Sequence, residues 1–246
     1  ERMYRWGGSS GNKGCTTLRD VGWESRSSPP PRRARRVPPG VVTNPGVIAV
    51  PTGSLTRYPS FWTSLLNLQR PRGSVLTVVE GHSIAQNMNN AIHGMLAQPE
   101  FQWIWLIGDD HVFAPTTLRR LLDRNVDLVA PLTPSRSNGG PVIQKPGPNG
   151  LDRQLTWLEV PHGGLHEVPA CSGAGLLIQR YVLEKVPAPW FELGTIVPDV
   201  FSEDIAFYRK ARAAGFHLFV DLDVLIGHTT PVTLWPALTP EGWSVI

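Results

Sequence analysis

The ten residues Trp103–Val112 constrain this chain most. A strand-like apolar run, Trp103-Ile104-Trp105-Leu106-Ile107, stops at Gly108 and gives way to Asp109, Asp110 and His111. Carboxylates and an imidazole at the end of a buried strand are costly to place unless something cationic meets them. The C-terminal edge of a parallel sheet is also where open α/β proteins bind ligands. A divalent metal carrying a phosphorylated ligand satisfies both conditions. Mg²⁺ and Mn²⁺ want carboxylate oxygens, and Mn²⁺ also accepts imidazole. The plainer alternative is a surface turn with solvated acids, which fits poorly after so apolar a strand.

The surrounding texture agrees with an α/β chain. Val47–Val50 is a short apolar strand ending in Pro51-Thr52-Gly53. Residues 59–70 carry helical spacing through Phe61, Leu65, Leu66 and Leu68, and 74–80 is a β-branched strand. Residues 83–97 are a helix with Ile84, Met88, Ala91 and Met95 at helical intervals. Pro115 marks a helix start, and Val126–Ala130 is a further strand. Strand and helix alternate, which predicts right-handed βαβ units on a mostly parallel central sheet flanked by helices. The C-terminal half is mixed. Residues 134–170 are rich in Gly and Pro, with short strands predicted at 141–145 and 155–160. A strand at 174–179 leads into a helix at 180–185. A helix over 202–214 is stopped by Gly215, and strands follow at 216–220 and 224–226.

Charge separates the chain into regions. Residues 1–40 hold nine Lys/Arg and three Asp/Glu, net +6; the other 206 hold 14 and 17, net −3. The basic Pro/Gly/Ser-rich leader, centred on Arg32, Arg33, Arg35 and Arg36, reads as disordered. Its arginines could contact nucleic acid or acidic lipid, or be a solvated tail or non-native upstream sequence; charge runs are usually solvated. The expected organisation is a leader at 1–40, a single domain at 41–230 and a C-terminal tail at 231–246. The mildly acidic body argues against a broad nucleic-acid footprint. No apolar run approaches the roughly 20 residues of a membrane helix, and Cys15 and Cys171 make no disulfide framework. A cytoplasmic protein without a membrane span is the expectation.

Three further segments carry candidate chemistry. His228 follows the last apolar strand, where a lone histidine is more often structural than a ligand. Ser202-Glu203-Asp204 opens a helix, as an N-cap with acids suited to the dipole or as a carboxylate base facing a cleft. In Ala170-Cys171-Ser172-Gly173-Ala174-Gly175 the small residues allow close backbone approach to a ligand, or simply make a turn. Nine tryptophans, among them Trp157, Trp190 and Trp235, could stack on sugar faces, although core packing suits most of them.

In this order the segments resemble nucleotide-sugar-dependent glycosyltransferases of the GT-A fold, in the family-two-like branch common in bacteria and phages. The resemblance rests on an ordered set: Val47–Pro51, Ile84–Asn89, Ile107–Phe113, Ser172–Gly175, Glu203-Asp204 with Phe207, Val220–Val224 and Gly227-His228. It implies a Rossmann-like GT-A domain and a divalent metal, Mn²⁺ or Mg²⁺. It also implies a nucleotide-diphosphate-sugar donor and a glycan, protein or modified nucleic-acid base as acceptor. Pro51, Thr52 and Glu80 would line the nucleotide side, and Asn89 stands in a donor-contact segment. Asp109, Asp110 and His111 would form the Asp-x-Asp-like motif, with His228 completing the metal shell. Gly173 and Gly175 would border the acceptor, and Asp204, or else Glu203, would be the base of an inverting transfer.

Two departures stand out. Gly108 takes a position that is often acidic, leaving the ligand set open between Asp110 with His228, and Asp109 with His111 and His228. Met88-Asn89 stands where relatives often carry Arg-Asn. A nucleotidyltransferase is the rival enzyme, but Val50–Thr56 offers one Gly and no Lys to hold a triphosphate. A degenerate, non-catalytic nucleotide-sugar-binding module is the other alternative.

Overall fold

The computed structural model describes residues 44–53, 58–147, 152–196, 199–230, 236–239 and 242–245. The predicted leader and Trp235 lie outside these residues. The first half runs β1 (Val47–Pro51), α1 (Pro59–Leu66), β2 (Val75–Val79), α2 (Ile84–Leu96), β3 (Trp103–Leu106), β4 (His111–Phe113), α3 (Thr117–Asp123) and β5 (Leu128–Leu132). The second half runs β6 (Gln144–Pro146), β7 (Asp152–Gln154), β8 (Leu165–Glu167), β9 (Leu176–Gln179), α4 (Arg180–Lys185), β10 (Gly194–Ile196), β11 (Asp199–Phe201), α5 (Glu203–Ala213), β12 (Leu218–His228), β13 (Pro236–Thr239) and β14 (Gly242–Val245).

An eight-stranded sheet in the order β2-β1-β3-β9-β5-β12-β4, with β8 also on β12, forms the centre. β1 is parallel to β2 and β3, and β12 to β5; β9 runs against β3 and β5. Strand direction is therefore mostly parallel, with β9, β8 and β4 reversed. The central strands are apolar on both faces, as a sheet covered on both sides requires. Val47, Ala49, Ile104, Leu106, Leu176 and Ile178 join the layer under α2, α4 and α5. Ile48, Val50, Trp103, Trp105, Val129 and Leu177 face the layer with Phe61 and Leu65 of α1 and Leu118 and Leu121 of α3.

Local chemistry sets the ends of the helices. Ser83 caps α2 by accepting from Gln86 N at 3.3 Å. Gly215, at φ +87°, ends α5 in the left-handed region, as its position predicts. α1 stops at Leu66, short of the predicted residue 70, and Asn67 folds its amide back onto Thr63 O at 2.7 Å.

Three expectations need correction. Residues 155–160 are not a strand. Trp157–Glu159 is a 3-10 turn, because Glu159 reaches back to Thr156 N at 2.9 Å in a capping box. At 141–145, Pro141 and Ile143 make only isolated bridges, and the strand begins at Gln144. The two strands expected at 216–220 and 224–226 are one strand, β12, with an irregularity between Asp221 and Leu225. Fully buried Asp221 holds that irregularity, accepting both Nε and Nη2 of Arg124 at 2.7 and 2.9 Å.

The sheet brings the C-terminal ends of β1, β3 and β5 to one edge, where β9 begins. After its irregularity β12 continues past that edge. There it pairs antiparallel with β4, placing His228 opposite His111.

Candidate metal centre

Asp110, His111 and His228 each offer one ligand atom within 4.8 Å of the others. The register explains their meeting. Residues directly opposite in an antiparallel pair share a face, and the His111 and His228 rings stack with centroids 4.5 Å apart. Asp110 sits in the turn before β4. Its Oδ1 lies 2.9 Å from His111 Nδ1, its Oδ2 lies 3.1 Å from His228 Nε2, and its carbonyl accepts from Thr229 N at 2.7 Å.

The nitrogens carry the more telling chemistry. His228 Nδ1 lies 3.2 Å from the carbonyl of Pro134. A carbonyl only accepts, so this nitrogen bears the proton. In the neutral ring Nε2 then turns a lone pair toward the Asp110 carboxylate, an arrangement that needs a proton or a cation between them. Hydrogen bonding to Asp110 accordingly raises the His228 pKa despite its partial burial. Burial by itself would raise the Asp110 carboxyl, but hydrogen bonds and charge from His111 and His228 outweigh it and hold the group far below the usual carboxylate range. His111 Nε2 is buried and has no hydrogen-bond partner among the described residues, a costly state for an imidazole nitrogen. One carboxylate and two imidazoles are a donor set that fits Mn²⁺ or a similar divalent ion.

Gly108 reads differently in three dimensions than as a missing acid. A Cβ on it would lie 2.8 Å from His111 Nδ1 and 2.9 Å from Asp110 Oδ1. Its carbonyl also lies 3.2 Å from His111 Nδ1. Glycine here is what lets Asp110 and His111 fold back over the strand end.

Asp109 takes another direction. Its Oδ2 accepts from the hydroxyl of buried Thr52 at 2.6 Å, linking the ends of β1 and β3. Thr52 O accepts from Asn87 Nδ2 at 2.8 Å, and Pro51 pairs with Val79 in the β1–β2 register. Glu80, just past β2, is exposed at the same edge. Thus Pro51, Thr52, Glu80 and Asp109 share one stretch of the edge, although only Asp110 of the two aspartates joins the histidines.

The Gly-rich segment and α5 form a second grouping. Asp204 Oδ2 accepts from Gly173 N at 3.1 Å, and Oδ1 accepts from Ile205 N at 2.9 Å and from the Ser202 hydroxyl. Ser202 takes the N-cap position of α5 but spends its hydroxyl on Asp204, not on backbone. A Cβ on Gly173 would press Asp204 Cβ at 3.2 Å, and Gly175 holds φ +69° against Pro131. Tyr208, buried, donates to Ser172 O at 3.1 Å beneath this loop. Glu203 is half-buried in the first turn of α5.

Asn89 makes a two-way bond with one residue. Its Nδ2 donates to Phe191 O at 2.7 Å and its Oδ1 accepts from Phe191 N at 3.0 Å. Met88 is buried in the layer under α2. Trp190 is a core residue, its indole donating to Leu183 O at 3.0 Å, whereas Trp157 is about half exposed.

The sequence reading missed Arg136. Its Nη1 donates to Asp110 Oδ2 at 2.8 Å from the Gly- and Pro-rich segment after β5. Only the position of one basic residue among small turn formers could have flagged it.

No family model matches the chain, and no curated protein does. Among solved structures it is similar to the crystal structure of A197 from STIV, with TM-score 0.57 and 15% identity over 82% of this chain and 93% of that one. It is also similar to the crystal structure of GalNAc-T7 with UDP, GalNAc and Mn²⁺, with TM-score 0.49 and 13% identity over 77% of this chain and 38% of that one. The likeness is one of fold, a single GT-A-like α/β domain. No helix among the described residues is long and apolar enough to cross a membrane.

Proposed function

We propose that this chain is a metal-dependent glycosyltransferase that moves a sugar from a nucleotide-diphosphate sugar to an acceptor hydroxyl with inversion. The observation that carries the proposal is the meeting of Asp110, His111 and His228, each offering one ligand atom within 4.8 Å of the others. The ordered motifs of the sequence supply the reaction class.

Asp110, His111 and His228 would hold Mn²⁺ or Mg²⁺. The ion would offset the charge that develops on the departing diphosphate. Thr52 orients Asp109 beside that group, and Pro51, Thr52 and Glu80 border the nucleotide side. Asn89, a candidate donor contact by sequence, acts through Phe191 in this reading. Gly173 and Gly175, without side chains, leave room on the acceptor side. The Gly173 N–H fixes Asp204 Oδ2, which keeps a second lone pair for the acceptor proton. In the transfer, the acceptor O–H proton goes to Asp204 and the acceptor oxygen bonds the anomeric carbon. The bond from that carbon to phosphate oxygen breaks with its electron pair on the phosphate. Glu203 is the alternative base. The acceptor is a hydroxyl of a glycan, a protein or a modified nucleic-acid base.

Calorimetric titration with UDP and with GDP, with and without Mn²⁺, tests this on wild type and Asp110→Ala. Metal-dependent binding of one nucleotide, lost in the variant, is expected. No binding of either with metal present would overturn the UDP- or GDP-sugar reading. Full transfer by Asp204→Asn would remove that residue as base.

A further inference from the structure

Residues 134–141 form a closed loop. Pro134 and Pro141 bridge at its neck, Ser135 N donates to Gly140 O at 2.7 Å, and Gly139 N donates to Ser135 O at 2.9 Å. The indole of Trp157 buttresses it through Gly139 O at 2.9 Å, and the Gln154 amide does so through Pro141 O at 2.8 Å. His228 ties the first residue to the candidate metal group through Pro134 O. The loop thus places the Arg136 backbone beside Asp110.

Arg136 and His228 converge on the same carboxylate oxygen, Asp110 Oδ2, at 2.8 and 3.1 Å. Among the described residues this is the only hydrogen bond the guanidinium makes, and 57% of its side chain is exposed. A guanidinium carries five N–H donors in a planar fork suited to phosphate. Most of that fork is therefore left to solvent beside the carboxylate. A divalent ion on Asp110 would take the oxygen that Arg136 now holds and would repel its positive charge. An anion would keep the guanidinium beside such an ion; the fork fits phosphate as it fits carboxylate, and phosphate is the anion that a divalent ion here would bring.

We propose that Arg136 is the phosphate-binding side chain of this site. Paired with Asp110 when no divalent ion is bound, it is released by the ion and clasps the phosphate groups that the ion brings. The proposal rests on the metal site argued above, and its ligand chemistry is a diphosphate, free or as part of a donor.

The experiment uses the full chain, with Mn²⁺ and inorganic pyrophosphate as probes and calorimetry as readout. Arg136→Gln is expected to bind Mn²⁺ more tightly, because a competing cation is gone. At saturating Mn²⁺ it should bind pyrophosphate about 10–100-fold more weakly, the scale of one charge-assisted hydrogen bond. Arg136→Lys, which keeps the charge and loses the fork, should fall between. These opposite signs separate the proposal from a structural role, which would move both affinities down or neither. Unchanged pyrophosphate affinity in Arg136→Gln overturns it, as does the absence of Mn²⁺ binding by wild type. Arg136-dependent pyrophosphate binding without UDP or GDP binding would sustain the proposal and sink the UDP- or GDP-sugar reading. Metal-dependent UDP or GDP binding indifferent to Arg136 would do the reverse.

Discussion

Adding one methyl group at Gly108 tests whether the acid-histidine group is built to hold a metal. Gly108→Ala would put a carbon 2.8 Å from His111 Nδ1 and 2.9 Å from both His111 Cε1 and Asp110 Oδ1. Ordinary carbon contacts lie near 3.5 Å, so the imidazole or the carboxylate must retreat by about 0.6 Å. The imidazole has little room to do so. His111 is 4% exposed, stacks on His228 and is held by the β4–β12 pairing. A shift of that size in the ligands themselves should cost at least the roughly 10–100-fold in metal affinity that losing a group that orients a ligand costs. Overpacking adds about 1–3 kcal/mol of destabilisation, which lowers Tm by about 2–4 °C per kcal/mol in a chain of this size. Mn²⁺ calorimetry gives the first quantity and a melt in chelator the second. A Gly108→Ala protein that melts lower in chelator yet binds Mn²⁺ like wild type would refute the assignment of Asp110 and His111 as ligands.

Three other outcomes follow from the packing. Arg124→Met leaves the Asp221 carboxylate buried without its bidentate partner and should cost about 3–5 kcal/mol in urea unfolding; a loss below 1 kcal/mol would show that the pair does not hold β12. Asn89→Ala strands both backbone groups of buried Phe191 and should cost about 1–3 kcal/mol; intact stability with weakened nucleotide binding would make Asn89 a donor contact after all. Burial pushes the Cys171 thiol up to about 12, so peptide mapping should find it unalkylated at pH 8 in the native state and modified in urea. Because its folded pKa is raised above the ordinary value of 9.0, its contribution to stability is complete below pH 9 and declines as pH rises toward 12.

What local sequence could show, it showed. The apolar strands β1, β3 and β9 are legible from their apolar runs, α2 from its period and its Ser83 cap, and α5 from its period and the Gly215 stop. β4 is not legible, since three residues carry no measurable period, and neither is its register with β12. That register decides which histidine meets which aspartate, so the sequence left the ligand set open while the pairing groups Asp110 with both histidines. Gly108 looked like a lost acid because a linear motif counts side chains; folded, its missing Cβ is what the neighbours need. Residues 155–160 looked like strand because Thr156, Trp157 and Val160 favour strands, and a single Glu159 cap overrode them.

β4 lies at the end of the sheet order, and its strand partner is β12. An ion shared by Asp110, His111 and His228 would stitch together chain positions 118 residues apart, as Asp110 and His228 are. The end of the sheet would then behave like a clasp, open or shut according to occupancy. Binding that favours the folded form by a hundredfold excess over Kd adds about 2.7 kcal/mol. The thermometer thereby becomes a ligand detector: cations, nucleotides and sugars can be ranked by how far each raises the melt, before any acceptor is known.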